Sequence, residues 1–156
     1  MDDRPEPATA APGLRGYDSF AAGETGSLGT VPIERDEVVA FASAWDPQPF
    51  HLDEAAGRAS PLGGHAASGW HTASLLMRQL VDHLLAGAKS MGSGAVTDLK
   101  WAKPVLVGDV LAGTYAVKEV RPSSRGDRGY VETAFAVTNQ HGDTVLTMNA
   151  TLIVGR

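Results

Sequence analysis

The chain has 156 residues and no cysteine, and its 18 acidic residues against 13 lysines and arginines give a formal net charge of -5. The length fits one domain that can bury a substantial core, and the absence of cysteine excludes disulfides, thiolate metal sites and a cysteine nucleophile. The acidic balance offers no general attraction to nucleic acid or to an anionic membrane, so we expect neither as a partner.

The first 16 residues are polar and rich in proline and alanine, with no apolar stretch behind a basic start. They resemble neither a signal peptide nor a membrane anchor, and we expect a disordered tail at residues 1–16 with a single domain at residues 17–156. No apolar run approaches the roughly 18 residues of a membrane-spanning helix. We therefore expect a cytoplasmic protein.

The next elements are an extended segment and a short helix. Residues 24–33 are rich in glycine and threonine and contain Pro32, which is typical of an edge strand. In residues 34–45 the apolar side chains recur at spacings of three and four, which predicts an amphipathic helix whose buried positions are Val38, Phe41, Ala42 and Trp45. The helix should end at Asp46, because Pro47 disfavours helical geometry at the residue before it.

Two further helices are predicted. Asp53 is placed to cap a short helix that continues through residues 54–58. A long helix should begin at Gly69 with Ser68 as its N-cap, and Gly87 should end it in the left-handed conformation. We expect this helix at the centre of the fold, with a buried stripe formed by Trp70, Ala73, Met77, Leu80, Val81 and Leu84.

The remainder of the chain predicts a sheet. Four runs rich in valine, threonine and aromatic residues are separated by turn-forming segments, at residues 95–102, 110–120, 129–140 and 143–154. Short connections between consecutive strands imply an antiparallel meander, and the early extended segment adds a fifth strand. We predict an α+β fold in which an antiparallel sheet of about five strands wraps one long central helix.

The segment WDPQPFHLD, residues 45–53, contains the first candidates for chemistry. A free imidazole has a pKa near neutrality, and a carboxylate can orient and charge it, so Asp46 and His51 held together could perform acid and base work. Pro47 and Pro49 fix two φ angles and limit the freedom of the loop between the two side chains. The alternative is structural, with Asp46 ending a helix and His51 donating to a backbone carbonyl.

The second candidate is the start of the long helix. The loop GGHAASG leads into Gly69, where free backbone N–H groups and the positive end of the helix dipole can polarise a carbonyl oxygen. Gly69 could equally serve only close packing of the helix on the sheet. Asp46, His51 and Gly69 form one site only if the fold brings them together.

Four segments in order resemble the successive motifs of the MaoC-like dehydratases, the family of the (R)-specific enoyl-CoA hydratases. They are WDPQPFHLD, SGWHTASLL, LKWAKPVLVGDVL and VTNQHGDTVL, and the resemblance extends from about Tyr17 to the C-terminus. It implies the hot-dog fold and a hydro-lyase that adds water to, or removes it from, an acyl thioester. In the family motif D-x-N-P-x-H the acid and the imidazole activate water, which implies these roles for Asp46 and His51, and Gly69 would donate its N–H to the thioester carbonyl.

The resemblance also implies partners. The substrate would be a trans-2-enoyl thioester of CoA or of acyl-carrier protein, converted to the 3-hydroxyacyl thioester with R specificity, and the domain would form a homodimer by joining two sheets edge to edge. Two positions depart from the family pattern. Gln48 replaces the asparagine of the motif, and Ser68 replaces the histidine before the helix glycine, so a supporting hydrogen bond is lost or has moved to His65 or His71.

Other functions and sites are weighed against this one. A hot-dog thioesterase and a non-catalytic thioester-binding subunit remain alternatives, because one fold hosts several functions. His65 and His71 are expected to border the site rather than act in it, while Trp70, Met77 and Leu80 are expected in the core. The five histidines lack ligand spacing and no phosphate-binding loop is present, so we expect neither a metal nor a cofactor. No role is assigned to Arg58, Lys100 and Lys103.

Overall fold

The computed structural model describes residues 13–156, so residues 1–12 of the expected tail lie outside the described residues. From Arg15 onward the backbone is attached to the domain. The Arg15 N–H donates to the Gly87 carbonyl at 2.8 Å, and the Lys89 N–H donates to the Arg15 carbonyl at 2.9 Å. The first described residues therefore pair with the segment that follows the long helix.

The helices follow the capping and proline signals of the sequence. They are α1 (Arg35–Trp45), α2 (Pro49–Leu52), α3 (Glu54–Ala59) and α4 (Gly69–His83), with short 3₁₀ turns at Tyr17–Ser19 and Leu85–Gly87. Both predicted N-caps are confirmed: the Asp53 side chain accepts from the Ala56 N–H, and the Ser68 hydroxyl accepts from the Trp70 N–H. The predicted left-handed stop at Gly87 is wrong, because α4 ends at His83 and Gly87 closes the 3₁₀ turn without a positive φ.

Five antiparallel strands form one sheet in the order β1-β3-β4-β5-β2. Their bounds are β1 (Thr25–Pro32), β2 (Ser90–Trp101), β3 (Val110–Pro122), β4 (Arg128–Thr138) and β5 (Thr144–Gly155). The predicted early edge strand is confirmed. A five-stranded antiparallel sheet with one long helix packed on it is the hot-dog arrangement, which confirms the predicted α+β fold.

The predicted meander through all four later strands is wrong. Strands β3, β4 and β5 follow one another, but β2 pairs with β5 at the opposite edge from β1. The connection between β2 and β3 does not turn back as a hairpin, because it pairs with the loop before α4. Ala67 donates to the Val105 carbonyl and Val107 donates to the His65 carbonyl. This pairing places the β2–β3 connection beside the N-terminus of α4.

The core lies between α4 and the facing side of the sheet. On β4 and β5 buried side chains alternate with partly exposed ones, as expected when one face of a sheet is covered. Leu76 and Leu80 of α4 are buried against this face together with Phe135, Leu146 and Leu152. Burial of each such side chain stabilises the fold by about 1.5–3 kcal/mol.

The predicted buried stripe of α4 is correct for Leu80 and Leu84, with Ala73 partly buried against the core, and wrong for the other three positions. The buried residues of α4 are His71, Thr72, Leu76, Gln79 and Leu80. Trp70 is 59% exposed, and Met77 and Val81 are exposed as well. Two polar side chains could enter the core because they find backbone partners: Gln79 donates to the Gly29 carbonyl at 2.9 Å, and Thr72 contacts the Ser68 carbonyl. The helix is thereby rotated from the orientation that apolar content alone predicts.

The burial predicted for α1 is correct for two of its four positions. Val38 and Ala42 are fully buried, and Phe41 is partly buried. Trp45, the last residue of the helix, is 77% exposed. The residue continues the apolar spacing, but the chain leaves the core there to form the loop that begins at Asp46.

Candidate active site

The proline-bounded loop sets two titratable side chains side by side. Asp46 ends α1 with an extended φ of -152°, and Pro49 is the first residue of α2. His51, two residues after Pro49, is buried. Pro47 lies between α1 and α2 and Pro49 begins α2, and the carboxylate and the imidazole, five residues apart in sequence, come together across this junction.

The pair is in direct contact. His51 Nε2 lies 3.2 Å from Asp46 Oδ2, and His51 Nδ1 lies 2.7 Å from the Ala66 carbonyl oxygen. A carbonyl oxygen can only accept, so Nδ1 carries a proton and Nε2 faces the carboxylate. Nε2 is therefore the nitrogen that can take up a proton and release it again, with the carboxylate stabilising the charged imidazole.

A second histidine supports the first through the backbone. His65 is buried, and its Nε2 lies 2.7 Å from the His51 carbonyl oxygen. The Ala66 N–H in turn donates to the Phe50 carbonyl at 3.2 Å. His65 thus fixes the main chain of α2 and does not contact the carboxylate.

Asp46 receives two further hydrogen bonds. Gln48 Nε2 donates to Oδ1 and Ser68 Oγ donates to Oδ2, both at 2.7 Å. Burial raises the pKa of Asp46, but the hydrogen bonds from Ser68 and Gln48 and the facing His51 imidazole together outweigh it, so that the pKa lies below its usual value of 3.8. The group is a carboxylate at neutral pH.

Gly69 is the first residue of α4 and lies beside this carboxylate. Within residues 13–156 no protein group accepts a hydrogen bond from the Gly69 N–H. The Gly69 carbonyl accepts from Trp101 Nε1 at 2.7 Å, and a Cβ at this position would lie 2.6 Å from the same nitrogen. A side chain at position 69 would therefore collide with the Trp101 ring.

One cavity of about 600 Å³ contains all three predicted residues. Asp46, His51 and Gly69 line it together, and its other walls are mostly apolar, formed by Phe50, Pro61, Leu62, Ala66, Ala67, Trp70, Thr72, Trp101, Ala102, Pro104 and Val105, with Gln48 and Lys103. A larger hollow of about 790 Å³ on the sheet contains none of the three. We assign the candidate site to the smaller cavity because the convergent polar groups lie there.

Some residues of the cavity were not singled out by the sequence analysis as site residues. Trp101 is the last residue of β2, and Pro104 lies in the connection between β2 and β3. That connection reaches the cavity because β2 and β3 are not neighbours in the sheet. Lys103, left unassigned, also lines the cavity and pairs with Asp143 at 3.0 Å. The motif LKWAKPVLVGDVL was recognised in the sequence, but only the order of the strands in the sheet shows that it lines the cavity.

His71 does not line the cavity. Its ring stacks on Phe41 with centroids 4.9 Å apart and planes 8° apart, between α4 and α1. The Nδ1 atom is buried without a hydrogen-bond partner among the described residues. Burial lowers the pKa of His71, and the nearby Glu37 opposes this effect only in part.

Across residues 13–156 no cluster of three or more histidine and acidic side chains is arranged to hold a metal ion. The helices of the same residues include none that is long and apolar enough to cross a membrane.

A hot-dog domain that holds an aspartate, a histidine and a helix N-terminus around one apolar cavity resembles the dehydratases of this fold. The family described as "MaoC like domain" matches residues 21–140. The chain therefore belongs to the MaoC-like domain family.

Individual proteins support the same assignment. A MaoC-like dehydratase of Rhodospirillum rubrum is 38% identical in sequence and superposes with a TM-score of 0.79 over 89% of this chain and 95% of that one. The R-hydratase PhaJ1 of Pseudomonas aeruginosa is 25% identical, with a TM-score of 0.75 over 89% of this chain and 84% of that one. The 3-hydroxybutyryl-CoA dehydratase of Methylorubrum extorquens is 32% identical over 73% of this chain and 68% of its own length.

Proposed function

We propose that the protein is a hydro-lyase that interconverts a trans-2-enoyl thioester and the (R)-3-hydroxyacyl thioester. One observation carries the proposal: the Asp46 and His51 side chains lie 3.2 Å apart in a cavity that also holds the unpaired Gly69 N–H. An acid–base pair and a donor for a carbonyl oxygen are the groups that the reaction needs.

The hydration step gives each of the three groups a role. A water held between Asp46 and His51 gives a proton to His51 Nε2 while its oxygen forms a bond to C3 of the enoyl group. The C2–C3 π electrons move to C2 and the thioester carbonyl, whose oxygen is stabilised by the Gly69 N–H. A proton from the pair is then delivered to C2, which restores the thioester and the starting protonation state. Dehydration is the reverse.

The relatives support this chemistry. One is a 3-hydroxybutyryl-CoA dehydratase, and another is an R-hydratase. The apolar walls of the cavity suit an acyl chain. A thioester of CoA or of acyl-carrier protein fits the same site, since both present the acyl group on the same pantetheine arm.

The test follows the enoyl absorbance of crotonyl-CoA and of longer enoyl-CoA substrates. We expect hydration by the wild type, and a loss of 10²–10⁴-fold in kcat for Asp46→Asn and for His51→Ala. Asp36→Asn and His141→Ala are matched controls on exposed residues outside the cavity and should retain full activity. Chiral analysis of the product tests the R configuration.

The same reaction mixtures separate the alternatives. A thioesterase would release free CoA thiol, which a thiol reagent detects, whereas a hydratase releases none. Calorimetric binding of a thioester without turnover of any chain length would favour a non-catalytic subunit. Full activity in both the Asp46 and the His51 variants would refute the assignment of the site.

A further inference from the structure

The two positions at which the chain departs from the family motif both contact the same side chain. Gln48 donates to Asp46 Oδ1 and Ser68 donates to Asp46 Oδ2, each at 2.7 Å. One oxygen of the carboxylate is thus held by a residue of the proline loop. The other is held by the residue that caps α4, and this is the oxygen that faces His51.

We propose that Ser68 and Gln48 are positioning residues that hold Asp46 as an anion with Oδ2 directed at His51, and that Ser68 also joins this carboxylate to the helix end that presents Gly69. The inference rests on the proposed function for its catalytic consequence. The hydrogen-bond geometry stands without it.

Ser68 has a fixed role in this arrangement. Its side chain is fully buried at 0% exposure, and its Oγ accepts from the Trp70 N–H at 3.3 Å while donating to Asp46. A hydroxyl has a single hydrogen to donate, so the bond to the carboxylate uses it completely. Because the next residue is Gly69, the same hydroxyl sets the distance between the carboxylate and the free N–H.

Gln48 acts from the solvent side. It lies between Pro47 and Pro49, its side chain is exposed, and its backbone N–H also donates to the Asp46 carbonyl at 2.8 Å. Its side-chain amide reaches past Pro47 to donate to Asp46 Oδ1. Since water competes with this exposed bond, we expect the loss of Gln48 to matter less than the loss of Ser68.

Few charges face Asp46. His51 of α2 is in contact with it, and Lys103 from the β2–β3 connection lines the same cavity but is paired with Asp143 at 3.0 Å. His71 of α4 is turned toward Phe41 and Glu37 of α1. The state of the carboxylate is therefore governed by His51 and by the two neutral donors, which favour the charged form and lower the pKa of Asp46.

The experiment compares Ser68→Gly, Ser68→Ala, Gln48→Ala and Gln48→Asn, with Ser74→Ala as a matched control. Ser74 lies on the exposed side of the same helix and bonds only the Trp70 carbonyl. Glycine is included at position 68 because it caps a helix almost as well as serine, so that this variant folds even if the alanine variant does not. Gln48→Asn keeps an amide and tests rescue.

We expect kcat for Ser68→Gly to fall roughly 10–100-fold with little change in KM, and for Gln48→Ala to fall less. The acid limb of the pH–rate profile should move to higher pH in both, and Gln48→Asn should restore much of the loss. Combining Ser68→Gly with Asp46→Asn should cost no more than Asp46→Asn alone, because Ser68 acts through that carboxylate.

A second readout separates this inference from the proposed function. The Asp46 carboxyl carbon can be titrated by NMR in protein labelled with ¹³C-aspartate, without any substrate. Its midpoint should rise in Ser68→Gly and in Gln48→Ala and stay unchanged in Ser74→Ala. An inactive wild type with these midpoint changes overturns only the hydratase proposal. Unchanged midpoints in both variants overturn the positioning roles, whatever the activity.

Discussion

At the scale of single residues, the contact with Trp101 requires glycine at position 69, whatever the catalytic role of its N–H. The ring of Trp101 occupies the space that a side chain would fill, because a Cβ at position 69 would lie 2.6 Å from its Nε1. The ring is rigid and is bonded to the Gly69 carbonyl, so it cannot rotate away without losing that bond.

For Gly69→Ala we expect a loss of stability of about 1–3 kcal/mol from overpacking, and a fall in kcat/KM of about 100-fold because the helix N-terminus and the indole move apart. Thermal unfolding and enoyl-CoA kinetics measure the two effects. Gly87→Ala is the matched control, since a Cβ there meets nothing within 4 Å. Wild-type melting and kinetics in Gly69→Ala would show that the cavity does not depend on this contact.

His71 supplies a second prediction at this scale. Burial lowers the folded-state pKa of His71 below its ordinary value of 6.5, so the unfolded chain binds the proton more readily. Stability should therefore be full above about pH 6.5 and should decline as the pH falls below that value. Denaturant unfolding at a series of pH values measures the decline.

His71→Phe should flatten that pH dependence, because phenylalanine keeps the stack on Phe41 and carries no Nδ1 to leave unpaired. The matched control is His141→Phe, on an exposed turn, which should keep the wild-type dependence. An equal decline in His71→Phe and the wild type would contradict the assignment to His71.

The residue scale also shows what sequence could predict of the site. Asp46, His51 and Gly69 were identified from side-chain chemistry and from the family motifs, and the fold brings them into one cavity. Trp70 was predicted to be buried because an apolar stripe takes no account of polar residues such as Gln79 that find backbone partners in the core. No pattern in a single sequence records such partners.

At the scale of elements, the segment before β1 is attached to the sheet by a partly buried network of polar side chains. Arg15 makes two bonds to Glu24, at 3.0 and 2.9 Å, and the Tyr115 hydroxyl of β3 donates to Glu24 at 3.0 Å. The hydrogen bond from Arg15 lowers the pKa of Glu24 more than burial raises it, and Tyr115 adds to the lowering.

Glu24→Gln should therefore lower the free energy of unfolding by about 1 kcal/mol at pH 7, a value reduced by the partial exposure of Arg15. Because the folded-state pKa of Glu24 lies below its ordinary 4.5, the contribution is complete above that pH and is lost as the pH falls through the folded-state pKa. The two proteins should thus converge in stability in acid, which urea unfolding at neutral and acid pH can measure. The exposed ion pair of Glu54 with Arg58 provides the control, and Glu54→Gln should change stability little at either pH.

Element boundaries were more predictable than element order. Caps at Asp53 and Ser68 and the prolines after α1 are local signals, and they gave helix starts that the structure confirms. The position of β2 beside β5 depends on pairing between the β2–β3 connection and the loop before α4, which are far apart in sequence. Local pattern cannot encode which of two edges a strand joins.

At the scale of the whole molecule, one side of the domain is unusually apolar for a surface. Strand β2 is an edge strand, and the outer side of α4 exposes Trp70, Met77 and Val81. Val96 of β2 pairs with the buried Ala150 and therefore points to the side of the sheet that holds α4. It is nevertheless 55% exposed, because α4 does not cover this edge of the sheet. Exposed apolar surface and a free strand edge are features of association sites.

We propose that this side forms the homodimer, with two β2 strands meeting edge to edge. Sedimentation at micromolar concentration should give a dimer for the wild type and a monomer or a much weaker dimer for Val96→Asp. Val110 is an exposed valine of β3, which lies away from the β2 edge of the sheet, so the Val110→Asp variant should remain dimeric. A monomeric wild type would exclude this arrangement.

The three tryptophans of the chain have a consequence for anyone who studies the protein in solution. Trp45 immediately precedes Asp46, Trp70 immediately follows Gly69, and Trp101 lies with its ring against Trp70, centroids 5.1 Å apart. Trp70 and Trp101 line the cavity and Trp45 is 77% exposed, so no indole emission comes from the packed interior. A change in that emission on adding a thioester would be a label-free binding signal, and because Trp101 is also the last residue of β2, the same signal during denaturation would report the site and the edge of the sheet together.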